Sequence, residues 1–362
     1  MIEIFVPGRL CLFGEHADWA GGYRSVWPEI VPGHCITAGT DQGILSTASP
    51  CPGRFRARAP AENENAPAIL DVDFTAATLA AVAREGGFWS YAAGTALAVL
   101  QARAVGGLNL TCRAMDLPMR KGLSSSAAVC VTVARAFNQV YGLDLAIPDE
   151  MELAYRGEKM TPSRCGRMDQ VCAYGQTVSS LVFDGDRMQV EPLALGGVYH
   201  LLVVDLGGEK DTIRILSDLN DCFRDRSDDT ASGVRNALGP LNRDIAHSAA
   251  AALTEGNAPA LGYLMTTAQE VFDRLVAPAC PDQLRSPLLH RVLAYPPLRD
   301  LTHGGKGVGS QGDGCAQLVC RGAEERSEIR AVLARELAMR SFEVTLAPEP
   351  LPRAKSGDPP SR

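Results

Sequence analysis

Pro118-Met-Arg-Lys-Gly-Leu-Ser-Ser-Ser-Ala-Ala128 lies between an alternating apolar run, Leu108 to Met115, and a segment of helical periodicity, Ser124 to Tyr141. The second segment places Ala127, Val131, Val133, Ala134, Phe137 and Val140 at helical spacing and stops at Gly142, which predicts strand, loop, then helix. Three consecutive hydroxyls at a helix start supply an N-cap. The unpaired N–H groups there point outward with the positive end of the helix dipole. Gly122 lets a phosphate approach the backbone. One or two serines would make only a plain cap, whereas the run as a whole reads as an anion site.

Upstream, Pro7-Gly-Arg-Leu-Cys-Leu-Phe-Gly-Glu-His-Ala-Asp-Trp-Ala-Gly-Gly22 crowds Arg9, Glu15, His16 and Asp18 beside an apolar strand. Carboxylates and an imidazole in a Gly-bounded loop suit recognition of several hydroxyls, as on a sugar. A metal site or a solvated turn fits His16-x-Asp18 equally well. Downstream, Glu158 precedes Asp169 by eleven positions, the latter within Cys165-Gly-Arg-Met-Asp-Gln170. One carboxylate could hold Mg²⁺ while the other accepts a hydroxyl proton, a division typical of phosphoryl transfer.

Gly304-Gly-Lys-Gly-Val-Gly-Ser-Gln-Gly-Asp-Gly314 reads as a glycine-dense loop before a strand, Ala316 to Cys320. It contains a literal GxGxxG at Gly307, Gly309 and Gly312. A dinucleotide fold needs a strand ending just before that motif and a helix after it, and neither is predicted. Walker A and protein-kinase motifs are also missing, since Lys121 and Lys306 are each followed by Gly.

Around these motifs, two short strands are expected about Pro7-Gly8, with further strands at Cys35 to Gly39, Ile44 to Ala48 and Phe55 to Ala59. A helix over 76–105 is interrupted at Gly86-Gly87. Later strands fall at 178–183, 188–195, 199–204 and 342–346, and helices at 259–276, 282–294 and 323–339. A boundary near 185–200 separates sheet plus helices from a second βα unit, and the Pro-rich stretch 350–362 reads as a disordered tail.

The 362 residues suit two domains, and 35 basic against 42 acidic side chains leave a net charge of −7. That balance argues against a nucleic-acid binder, and no uninterrupted apolar run is long enough for a membrane span. Eleven scattered cysteines without a CxxC pair read as reduced thiols. With no basic-then-apolar leader at the N-terminus, a cytoplasmic protein is expected, as monomer or homodimer.

Taken together, the motifs resemble those of the GHMP kinases, the family of galactokinase, homoserine kinase, mevalonate kinase and phosphomevalonate kinase. Residues 7–22 are similar to the galactokinase signature, 118–128 to the second, phosphate-binding motif, and 304–314 to the third. The resemblance implies an α+β, two-domain GHMP kinase fold: a ribosomal-S5-like N-terminal domain at 1–190 and a ferredoxin-like C-terminal domain at 191–349. It also implies ATP and Mg²⁺, with a small-molecule polyol or sugar as acceptor and no nucleic-acid or membrane partner. By motif position Asp169 and Arg9 would be catalytic, and Ser126 and Glu158 would be magnesium ligands. Lys121, Gly122, Leu123, Ser124, Ser125 and Ser126 would bind ATP, and Glu15, His16, Asp18 and Gly21 the acceptor.

Two departures stand out. Arg120 occupies a position that is usually Gly, and Arg120 with Lys121 could either contact phosphate or face solvent. Gln311 and Asp313 stand where most members have Gly or Ala, so the acceptor need not be galactose. The alternative to a kinase is a non-catalytic, galactokinase-like sugar sensor.

Overall fold

The computed structural model describes residues 1–60, 68–117, 122–163 and 165–349. Arg120, Lys121 and the expected tail at 350–362 lie outside the described residues.

The chain opens with one strand, β1 (Ile2–Phe13), where two short ones were expected. Pro7-Gly8 does not turn the chain. The register against the next strand slips between Pro7 and Arg9, a bulge that absorbs the proline. A Cβ at Gly8 would sit 2.4 Å from Leu117 Cδ1 and 3.0 Å from the Leu123 carbonyl, so only glycine lets this strand lie against Leu117 and Leu123. A short helix, α1 (Ala17–Gly22), follows and leads into β2 (Gly33–Pro50). The two strands expected at 35–39 and 44–48 are one, because β1 pairs along it on both sides of Thr40 to Gly43.

Five more strands complete the first sheet: β3 (Arg54–Arg58), β4 (Ile69–Asp73), β5 (Leu108–Met115), β6 (Val178–Asp184) and β7 (Arg187–Pro192). Their order is β4-β3-β5-β2-β6-β7, with β1 on β2; only the β3–β5 pair is parallel. Four helices pack beside it: α2 (Ala76–Glu85), α3 (Ser90–Ala102), α4 (Ser125–Tyr141) and α5 (Ile147–Lys159). The small residues of α3, Ala92, Ala93, Gly94 and Ala96, permit its close approach to α5. A Cβ at Gly94 would lie 2.3 Å from the Gly157 carbonyl, and one at Gly157 only 2.4 Å from Thr95 Cα.

The second sheet begins at β8 (Tyr199–Asp205). Then come α6 (Thr212–Asp225), α7 (Asp229–Asn236), α8 (Asn242–Glu255) and α9 (Ala258–Leu275). The helix expected over 282–294 is two pieces, α10 (Pro281–Leu284) and α11 (Pro287–Leu293), broken at Ser286, whose backbone is left-handed ahead of Pro287. The chain closes with β9 (Thr302–Gly307), β10 (Cys315–Cys320), α12 (Ala323–Leu337) and β11 (Arg340–Leu346). The order β11-β8-β10-β9, antiparallel throughout, is that of a ferredoxin-like sheet.

The third glycine-rich motif therefore starts as a strand. Pairing with β10 overrides the strand-breaking tendency of its glycines. Although a strand does end at Gly307, the chain returns as an antiparallel strand and not as a helix, so the dinucleotide fold is still excluded. The main apolar core runs without a break from Ile4, Leu10 and Phe13 of β1 to Tyr199, Leu201 and Val203 of β8 and Val308 beyond β9.

Candidate active site

Three motifs far apart in sequence meet in one cleft of about 1360 Å³, lined by Arg9, Glu15, His16, Asp18, Gly122, Ser124 and Asp169 among others. The bulge at Pro7-Gly8 turns Arg9 into it, and the Arg9 N–H donates to the Leu123 carbonyl (3.0 Å), fastening β1 to the loop before α4. Asp169 opens a short 3₁₀ turn, Asp169–Tyr174. Its Oδ1 accepts from both the Arg9 guanidinium and the Ser124 hydroxyl, the latter at 2.7 Å. Arg9 is buried, whereas the Asp169 side chain is one-quarter exposed to the cleft.

Ser124 corrects the sequence reading. It sits at the N-cap of α4 but its backbone is left-handed (φ 53°), and its hydroxyl makes no cap bond. The hydroxyl goes to Asp169 instead, so no serine side chain occupies the first N–H groups of α4 from the cap position, and they stay available to a ligand. Gly122, at φ 76°, makes the turn before it. Leu123 is buried under the loop, and Ser125 lies buried at the first helical position.

Behind this loop Glu158 is completely buried on α5. It accepts from Ser163 (3.2 Å) and from Gln170 Nε2 (2.9 Å), with the Ser126 hydroxyl beside it. Burial, and next the nearby Asp169 charge, push its carboxyl up to about 7. Such a carboxylate lacks a full counter-charge, and a hard cation beside it would supply one. The Ser126 hydroxyl and Glu158 carboxylate are oxygen donors of the kind Mg²⁺ takes, so the pair fits that ion. No group of three or more His, Cys, Asp or Glu side chains could hold a metal among the described residues. The pair thus offers part of a coordination shell, with water and a phosphate-bearing ligand left to complete it.

The other flank of the cleft is the turn after β1. Glu15 is buried and ion-paired with Lys306 of β9, which also donates to the Gly307 carbonyl (2.9 Å). His16 has left-handed backbone, and its Nδ1 accepts from the Trp19 indole (3.1 Å). Burial, together with the charges of Lys210 and Lys306, lowers His16 to about 3, so it is neutral. Its Nε2 faces the Ser310 carbonyl without reaching hydrogen-bond geometry. Asp18 is pushed up to about 6, by burial first and by Asp169 second. Gly166 passes directly beneath it: a Cβ there would lie 1.6 Å from Asp18 Oδ2.

Gly21, expected at the acceptor, does not line the cleft. A Cβ on it would meet the Phe183 carbonyl at 2.5 Å and the Gly33 nitrogen at 2.7 Å, so it serves the packing of α1 on the sheet. Asp313 also turns away, accepting from the Leu289 N–H (3.0 Å). Gln311 is buried at φ 65°. Its carbonyl accepts from Lys210 Nζ (2.9 Å). Lys210, Lys306 and Gln269, which binds the Gly307 N–H (2.7 Å), are the site residues that sequence reasoning missed. A lysine flanked by glycines inside a strand was a legible oddity at Lys306; Lys210 sits in a loop with no motif.

Comparison with known proteins finds similar chains and similar folds. Residues 90–176 match the model of the GHMP kinases N-terminal domain. The mevalonate kinase of Aeropyrum pernix is 28% identical over 161 residues, 44% of this chain and 48% of that protein, so the match spans about half the relative's length. The mevalonate kinase of Methanococcus jannaschii superposes with a TM-score of 0.72 at 17% identity, covering 96% of this chain and 98% of that one. Lactococcus lactis galactokinase, crystallised with galactose, gives 0.74 at 15%, covering 95% and 93%. Residues 90–176 are thus similar to the GHMP kinases N-terminal domain, and nearly the whole chain shares its two-domain fold with these two kinases.

Proposed function

We propose that this protein is an ATP- and Mg²⁺-dependent small-molecule kinase that phosphorylates a hydroxyl group of a sugar, a sugar phosphate or a sugar-like cyclitol. The observation that carries the reading is the convergence of Arg9 and Ser124 on one oxygen of Asp169 at the floor of a shared cleft. In such an enzyme Asp169 accepts or orients the proton of the attacking hydroxyl. Arg9 holds that carboxylate in place through their ion pair and stabilises charge on the transferring phosphoryl. Uncapped N–H groups at the start of α4 receive the phosphates, as helix N-termini do. Ser126 and Glu158 would hold Mg²⁺, which when bound neutralises phosphate charge. Glu15, His16 and Asp18 face the acceptor, and their mixed donors and acceptors suit a polyhydroxylated molecule.

Positioning and charge stabilisation are enough to drive phosphoryl transfer, so no covalent intermediate is required. The test is an ADP-release screen with MgATP over hexoses, pentoses, sugar phosphates and cyclitols, run beside Asp169→Asn. Turnover on at least one acceptor is expected, falling by orders of magnitude in the variant with nucleotide affinity little changed. Tight acceptor binding with no ADP release would instead place the protein among sugar sensors.

A further inference from the structure

The cations of the cleft are not all neutralised by the protein. Arg9 is paired with Asp169, and Lys306 with Glu15. Lys210, recessed in the cleft wall just before α6, donates only to the Gln311 carbonyl (2.9 Å), and no carboxylate of the described residues lies within ion-pair distance of it. Glu209, Asp211 and Asp221 line the same cleft without reaching it. Asp211 is spent on capping α6 through the Arg214 N–H, and Asp221 pairs with Arg224.

Two glycines fix where this ammonium goes. A Cβ at Gly314 would lie 2.8 Å from Nζ, and one at Gly312 3.5 Å from the alkyl stem. The glycine-rich loop is therefore moulded around Lys210. Beside it stands His16, whose tautomer follows from the Trp19 bond: Nδ1 accepts, so Nε2 carries the hydrogen and is a donor without a bonded partner. An ammonium in a cleft wall with a carbonyl as its hydrogen-bond partner and no ion pair recognises anionic oxygen. A neutral acceptor would close the cleft over an uncompensated charge, which is unfavourable.

We infer that the acceptor is an anion whose carboxylate or phosphate oxygens sit on Lys210, while the hydroxyl to be phosphorylated lies at Asp169. Burial lowers the Lys210 ammonium, and the Cys315 and Glu15 charges offset this only in part. The part of this inference that concerns the reacting hydroxyl rests on the proposed kinase function; the anion site stands on the cleft alone.

The experiment is calorimetric titration of the full chain, saturated with Mg²⁺ and the non-hydrolysable analogue AMPPNP, with matched neutral hexoses, hexuronates and hexose phosphates. At least one hexuronate or hexose phosphate is expected to bind at least about tenfold tighter than its neutral parent. Lys210→Met should weaken that binding by about thirtyfold, as loss of one partner of a buried charge pair does, and Lys210→Arg by clearly less. Unchanged AMPPNP affinity in both variants shows that they are folded. Preference for the hexuronate or the hexose phosphate tells carboxylate from phosphate. Equal binding of neutral hexoses, wild-type anion affinity in Lys210→Met, or no anion binding at all would each overturn the inference. Anion binding without ADP release would overturn the kinase function and leave the anion site standing.

Discussion

Ser124 donates its hydroxyl to Asp169 Oδ1 across 45 residues of sequence, from a backbone held at φ 53°. A left-handed residue that is not glycine costs on the order of 1 kcal/mol, and here the strain buys the placement of one hydrogen bond at the cleft floor. Ser124→Gly should leave stability equal to or about 1 kcal/mol above wild type, because the strain is relieved. Activity should nevertheless fall roughly 10- to 100-fold, the worth of a hydrogen bond to a charged group. Denaturant midpoints and kcat measured together decide it; a glycine variant with undiminished turnover would show the contact to be idle.

The pH dependence of stability has a definite sign. Glu158 is pushed up to about 7 and Asp18 to about 6, chiefly by burial, so the fold prefers both protonated. Stability from these groups is complete below their ordinary range, near pH 4, and is lost as pH rises through about 7. For Glu158, a rise from the ordinary 4.5 to about 7 corresponds to roughly 3 kcal/mol at most. The ligand-free protein should melt lower at pH 7.5 than at pH 5, and Glu158→Gln should flatten that slope. Parallel melting curves for the two proteins would contradict it.

The Glu15–Lys306 pair is almost fully buried. Glu15→Gln leaves the ammonium without its partner and should destabilise by about 3 kcal/mol or more, as broken buried pairs do. Replacing both residues, Glu15→Gln with Lys306→Met, should recover part of that loss. Chemical denaturation of the two variants checks the order; a double variant less stable than the single would refute it.

Gly166 offers a way to move Asp18 without touching it. The Cβ of Gly166→Ala would overlap Asp18 Oδ2, the free end of a flexible side chain, so the carboxylate swings aside at little cost to the fold. The expected result is an acceptor KM raised about tenfold or more with nucleotide KM unchanged, since orientation of one polar contact is lost. An unaltered acceptor KM would mean that Asp18 takes no part in binding.

Much of this was legible in the residues. The strand, glycine turn and helix within Leu108 to Tyr141 were readable because each leaves a local pattern. The hydroxyl of Ser124 was misread as a cap, since its true partner lies on a turn 45 positions away and only tertiary folding brings the two together. β2 was divided because Thr40 to Gly43 look like a break. Pairing with β1 at Gly39 and again at Gly43 carries the strand across them, and a Cβ at Gly43 would strike the Phe5 ring at 2.3 Å. Thr302 to Gly307 looked like loop for a similar reason: hydrogen bonding to β10 outweighs glycine content. Gly21 was carried to the acceptor by its motif, although the missing side chain is needed for helix-to-sheet contact. Lys210 had no local pattern, and its significance is visible only in the folded cleft, where it is recessed in the wall without an ion pair.

The amide of Gln317 donates to the Cys11 carbonyl at 2.8 Å, and Glu15 grips Lys306 nearby, so the two sheets are stitched together at the back of the cleft and share one core. Swinging the two sheets apart like a clam would break that buried pair and split the shared core, a cost not carried by opening at the rim, where the hydroxyls of Thr212 at the start of α6 and Ser310 meet 3.3 Å apart in an exposed setting.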